Sequence, residues 1–96
     1  MTATFNIIGH ISQISDPTDP NEDTSILHVR ISTPVPKKGW NNGIFTVTFT
    51  DNQIEDVLTF VENGHLKVRG DILQFANENG TVVTYYFVKD YEYCPF

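Results

Sequence analysis

Residues 54–72, IEDVLTFVENGHLKVRGDI, carry the most informative local pattern in this chain of 96 residues. Four apolar side chains in it have the spacing i, i+3, i+4, i+7: Ile54, Val57, Leu58 and Val61. That spacing predicts a helix with one apolar stripe. The Asn63-Gly64 pair predicts the end of the helix, with Gly64 in the left-handed conformation.

The rest of the chain alternates between apolar and polar residues at the period of a β-strand. Residues 65–75 continue from the helix as a strand, with Leu66, Val68 and Ile72 pointing inward and a bulge at Gly70. Further strands are predicted at residues 4–14, 26–33, 44–50 and 81–93, and Asn79-Gly80 predicts a hairpin turn before the last one. This order predicts a five-stranded Greek-key barrel with a helix between strands 3 and 4, which is the OB-fold.

Composition limits the classes of function. At 96 residues, 40% of them hydrophobic, the chain is expected to form one domain over residues 1–96. A net charge of −6 excludes a polybasic nucleic-acid binder, although it allows a local basic patch. Because neither a signal peptide nor a membrane-spanning run is present, a cytoplasmic location is expected.

Enzyme chemistry has little support in the sequence. The three histidines are predicted on different strands, and no carboxylate or cysteine motif accompanies them to bind a metal. Cys94 is the only cysteine, and there is no phosphate-binding loop or nucleophile motif. We therefore expect neither catalysis nor a cofactor nor a metal.

From about residue 5 to residue 93, the sequence resembles the bacterial single-stranded DNA-binding proteins and their relative, the primosomal replication protein. Residues 5–11, FNIIGHI, resemble the opening strand of that family, and residues 54–72 resemble its helix, glycine, strand and second glycine. The chain departs from the family in the third strand, where Ile44 and Phe45 stand in place of a base-stacking tryptophan. Its only tryptophan, Trp40, lies in the polar loop of residues 34–43.

The resemblance implies sequence-independent binding of single-stranded DNA in replication, recombination or repair, by a homodimer or homotetramer. Aromatic rings and cations are the groups that such binding needs. The candidate residues are Trp40, Lys37, Lys38, Arg30, Lys67, Arg69 and Phe75. Trp40 would stack on bases, the two lysines would hold the strand from the loop, and the remaining cations would line one groove. Trp40 could instead cover the barrel mouth or an oligomer interface, and Phe75 could belong to the core.

Two other functions remain open. The low basic content favours a protein-interaction module that docks a replication protein, and oligosaccharide binding has only the fold in its favour. The chain ends in Pro95 and Phe96, which resemble the tip of the family's partner-binding tail. The same two residues could also be a chain end packed on the barrel.

Overall fold

The structure, a computed structural model, describes residues 3–15, 26–34 and 43–95 and forms a five-stranded barrel. Its elements are β1 (Ala3–Ile14), β2 (Ile26–Thr33), β3 (Gly43–Thr50), a 3₁₀ turn (Asp51–Gln53), α1 (Ile54–Val57), β4 (His65–Ala76) and β5 (Val82–Cys94). The strands close in the order β1-β2-β3-β5-β4, and β3 and β5 are parallel where they meet. The predicted OB-fold, with its helix between the third and fourth strands, is confirmed.

The core is built from the inward positions of the strands. The predicted inward residues of β2, Leu27, Val29 and Ile31, are all buried, and so are Leu66 and Val68 of β4. The other fully enclosed side chains of the strands include Ile11, Val47 and Phe49. Alternation at period two therefore predicted the core strands correctly. None of the described helices is long and apolar enough to cross a membrane.

The helix is shorter than the sequence predicted. α1 is one turn, and the predicted stripe fails beyond it because Leu58 and Val61 are 46% and 51% exposed. Phe60 is buried instead, since its ring stacks on that of Tyr93 with centroids 3.9 Å apart. The chain after α1 therefore follows the aromatic contact with β5 and not the helical spacing, since aromatic side chains contribute large buried areas and favourable ring pairs.

The end of this segment also differs from the prediction. Asn63 has the left-handed backbone, with φ of 69°, and Gly64 does not. Gly64 is needed for another reason: a Cβ placed there would lie 2.6 Å from Cε1 of Tyr93. The glycine therefore permits a close approach between the loop and the last strand.

A second aromatic contact holds α1 to the barrel. The hydroxyl of Tyr91 on β5 donates a hydrogen bond of 2.7 Å to Oδ2 of Asp56. The Asp56 carboxylate raises the pKa of Tyr91 above its ordinary value of 10.0, first through this hydrogen bond, and burial adds to the effect. The phenol proton is therefore held more tightly in the folded chain than in the unfolded one.

A bulge lies at the height of Gly70, as predicted, but in the partner strand β5, and it divides the β4–β5 ribbon into two halves. Arg69 pairs with Asp90, but Gly70 pairs with Val88, so Lys89 is the extra residue. A side chain at Gly70 would collide with the carbonyl oxygen of Phe87. The hairpin beyond the bulge ends in the predicted turn, where Gly80 has a φ of 80°.

A candidate nucleic-acid interface

The hairpin half of the β4–β5 ribbon presents aromatic rings outward. We define the aromatic face as His28 of β2, Phe75 of β4, and Tyr85 and Phe87 of β5. The closed barrel brings these three strands together, with β3 between β2 and β5. Phe75, which could have been core, is 50% exposed on the outer surface of β4.

Tyr85 is the centre of the aromatic face. Its ring lies 5.5 Å from that of Phe87 and 6.3 Å from that of His28, with interplanar angles of 18° and 27°. The Phe75 ring meets it edge-on at 5.8 Å. These rings support one another on a rigid sheet, so they form a preorganised platform for flat ligands.

His28 is fixed on this face by β3. Its Nδ1 lies 3.0 Å from Oγ1 of Thr48, in a hydrogen bond whose direction depends on the tautomer. Thr48 is an outward residue of its strand but is only 2% exposed. The sheet is therefore covered here by the side chains of its neighbours rather than open to solvent.

Arg30 extends the aromatic face along β2. It is exposed and is the cross-strand partner of Gln13 on β1 and Thr46 on β3. Together with His28 and Ser15, these residues line a shallow depression of about 110 Å³. Within the described residues, no acidic side chain forms an ion pair with Arg30. Its guanidinium is thus placed where a phosphate could reach it.

The terminal half of the ribbon has a different character. We define the charged face as Lys67 and Arg69 of β4 with Asp90 and Glu92 of β5. Nη2 of Arg69 lies 3.1 Å from Oδ2 of Asp90, and Lys67 is the cross-strand partner of Glu92. The two positive charges are therefore matched by two negative ones.

The structure separates the cations that the sequence placed in one groove. Lys67 and Arg69 pair with Ile8 and Asn6 in the first part of β1, whereas Arg30 pairs with Gln13 near its end. Each is outward and exposed, as expected, but the register assigns them to two surfaces. A single groove would need outward residues at the same height on neighbouring strands.

Several predicted residues lie outside the described part of the chain. Lys37, Lys38 and Trp40 belong to the connection between β2 and β3, and Phe96 is the last residue. Pro95 is described, follows β5 directly and is exposed.

Sequence reasoning did not identify Tyr85, Phe87 and His28 as members of one site. One signal was available in the sequence: Val83, Tyr85 and Phe87 alternate along one face of the last strand. The hairpin turn pairs Val83 with Phe75, which places Phe75 on the same face. His28 joins this group only because β3 pairs with β5, and the local sequence pattern of a strand does not show that pairing. In the described ranges, no group of three or more His, Cys, Asp or Glu residues is arranged to bind a metal.

The barrel is similar to several solved protein structures. One is the mitochondrial single-stranded DNA-binding protein Rim1 from S. cerevisiae, with a TM-score of 0.72 at 16% identity over 97% of this chain and 95% of that chain. The chain is an OB-fold protein. The N-terminal domain of PriB from Thermoanaerobacter tencongensis, described as dimeric, has a TM-score of 0.59 at 14% identity over 98% of both chains. No family model and no curated protein matches by sequence.

Proposed function

We propose that this OB-fold protein binds single-stranded DNA without sequence preference, through the aromatic face. The observation that carries the proposal is the cluster of rings centred on Tyr85, in which Phe75 is exposed and Tyr85, Phe87 and His28 are half-buried. Stacking on an aromatic ring is open to every base, and it contributes about 1–3 kcal/mol per base. The proposed function is binding and not catalysis.

In this proposal each element has a separate part. Phe75 and Tyr85 stack on bases, and Arg30 contacts a phosphate beside them. Lys37, Lys38 and Trp40, which follow β2 in the chain, add two cations and a ring from the β2–β3 connection. Lys67 and Arg69 contribute less, because Asp90 and Glu92 on the same face repel phosphate.

The charge balance supports weak rather than tight binding. Each phosphate neutralised on a single strand contributes about −0.7 to the slope of log affinity against log salt. With Arg30 and the two loop lysines as the main cations, the slope should be about −2. Stacking then supplies most of the binding free energy, so considerable affinity should remain at high salt.

The proposal is tested with a fluorescently labelled oligo-dT of about 35 nucleotides, long enough to span several sites of OB-fold size. Anisotropy should show binding, and Phe75→Ala should weaken it about fivefold or more. Leu58→Ala is the matched control, because Leu58 is also a half-exposed apolar residue but lies beside α1. Equal affinities for Phe75→Ala and wild type would remove the aromatic face from the site.

A protein-interaction module is the second candidate. Leu73, Val82 and Val83 of the hairpin are 39%, 60% and 39% exposed, and such apolar side chains suit a protein partner as well as bases. A replication protein would be the partner in this case, with Pro95 and Phe96 as further contacts. Absence of oligo-dT binding at low salt would favour this candidate.

We also propose that the chain forms a homodimer or homotetramer and acts in replication, recombination or repair in the cytoplasm. Ile8 is 60% exposed beside a cleft of about 500 Å³ that His65, Lys67 and Glu92 also line. A two-fold axis over the charged face would set its cations against the acids of a second copy. Ile8→Glu should therefore shift the mass measured by light scattering towards the monomer, and an unchanged mass would exclude this interface.

A further inference from the structure

Two histidines lie side by side at the end of the β1–β4 pairing, away from the aromatic face, and His65 borders the cleft that Lys67 and Glu92 of the charged face also line. His10 and His65 are cross-strand partners, and both are exposed. Their ring centroids are 4.2 Å apart and their planes are inclined at 52°. The rings are thus close together but not stacked.

The separation of the two rings is close to that of two imidazoles bound to one metal ion. Zinc–nitrogen bonds of about 2.0–2.1 Å place the ring centroids of two tetrahedral ligands about 5 Å apart. A small rotation of the exposed side chains is enough to reach that separation. Inclined ring planes are also compatible with two ligands that bind one ion from different directions.

The backbone beneath the pair is well fixed. The amide of Ile11 donates to the carbonyl oxygen of Gly64 at 2.9 Å, and the amide of Asn63 donates to the carbonyl oxygen of Ile11 at 2.8 Å. These hydrogen bonds lock the residues next to both histidines. The backbone positions are therefore already set, and only the two exposed side chains must rotate when an ion binds.

We propose that His10 and His65 bind one divalent transition-metal ion of the kind that prefers imidazole, such as Zn²⁺ or Cu²⁺. Because no third ligand among the described residues is already in position, water completes the coordination. The site bridges β1 and β4 and is independent of the nucleic-acid binding proposed above. Copper should bind more tightly than zinc, following the usual order for nitrogen ligands.

The test uses the full chain without a polyhistidine tag, stripped of metal and titrated with ZnCl₂ by calorimetry at neutral pH. Wild type should bind one ion per chain. His10→Asn and His65→Asn should each weaken binding at least about tenfold, since even the loss of an outer-sphere partner has an effect of that size. His28→Asn is the matched control and should bind as wild type does, because His28 lies on another face.

A second measurement identifies the ligands directly. Electron paramagnetic resonance of the Cu²⁺ form should show coupling to two imidazole nitrogens in wild type, and to fewer in each of the two single variants. Binding that persists in the double variant would overturn the proposal. Binding that Cys94→Ser abolishes while the histidine variants retain it would also overturn it, because it would assign the ion to the thiol.

Discussion

The two halves of the β4–β5 ribbon share strands, twist and alternation, yet they present opposite chemistry to solvent. On the hairpin side of the bulge, rings and aliphatic side chains surround Tyr85, and the one acid of β4 there, Asp71, is paired with Lys89. On the terminal side the cations of β4 stand opposite the acids of β5, with Arg69 bound to Asp90. The comparison shows that an outward cation is not by itself a phosphate site, because its cross-strand neighbour decides whether its charge is available.

The largest expected effect is on the free energy of unfolding, and it comes from Gly70 at the boundary between the two halves. Gly70→Ala should destabilise the chain by about 3 kcal/mol or more, because the new methyl group would collide with the Phe87 carbonyl. Urea unfolding measures the change. Gly80→Ala is the matched control: it has open space but a φ of 80°, and should cost only about 1 kcal/mol. Similar losses for the two variants would contradict the close contact at the bulge.

A smaller effect is expected on the terminal half, where Tyr91 anchors α1. Tyr91→Phe should lower the free energy of unfolding by about 1 kcal/mol at neutral pH, through loss of the hydrogen bond to Asp56. In wild type, the stability that this bond provides is complete below pH 10.0 and is lost as the pH rises through the raised pKa of the folded state.

The pH dependence of the stability distinguishes loss of the Tyr91–Asp56 hydrogen bond from a simple loss of packing. Urea midpoints measured at several alkaline pH values should fall less steeply for Tyr91→Phe than for wild type, and Asp56→Asn should reproduce that flatter dependence. Parallel profiles for all three proteins would show that the Tyr91 hydroxyl does not sense the Asp56 carboxylate.

The smallest expected effect is on the salt dependence of binding, and it compares Arg30 beside the aromatic face with Arg69 on the charged face. Arg30→Ala should reduce the salt slope of oligo-dT binding by about 0.7, the contribution of one phosphate. Arg69→Ala should leave the slope nearly unchanged, because its charge is already matched by Asp90. Fluorescence titrations at four salt concentrations give both slopes. A larger change for Arg69→Ala would place the strand on the charged face.

The sequence predicted the barrel well because the alternation of apolar and polar residues within each strand identifies the inward face of that strand. The alternation of Leu27, Val29 and Ile31 needs no knowledge of the neighbouring strands. It did not predict the end of the helix, because the stacking of Phe60 on Tyr93 joins positions far apart in the chain.

The candidate site was predicted less completely for the same reason. Lys67 and Arg69 were correctly placed outward, but their acidic partners on β5 become visible only when the bulge fixes the register. The link from Tyr85 to His28 depends on the closure of β3 on β5, a contact between strands that are not adjacent in sequence. Local periodicity identifies a residue's face, and long-range pairing decides which faces combine.

The central claim is that the aromatic face, and not the charged face, binds the strand. Titration of oligo-dT with Tyr85→Ala and with a Lys67→Ala/Arg69→Ala double variant, at one salt concentration, tests it most directly. Tyr85→Ala should weaken binding by about 1–3 kcal/mol, the contribution of one stacked base. The double variant should bind within about a factor of two of wild type, since each of its charges faces an acid. The reverse ranking of the two proteins would contradict the account.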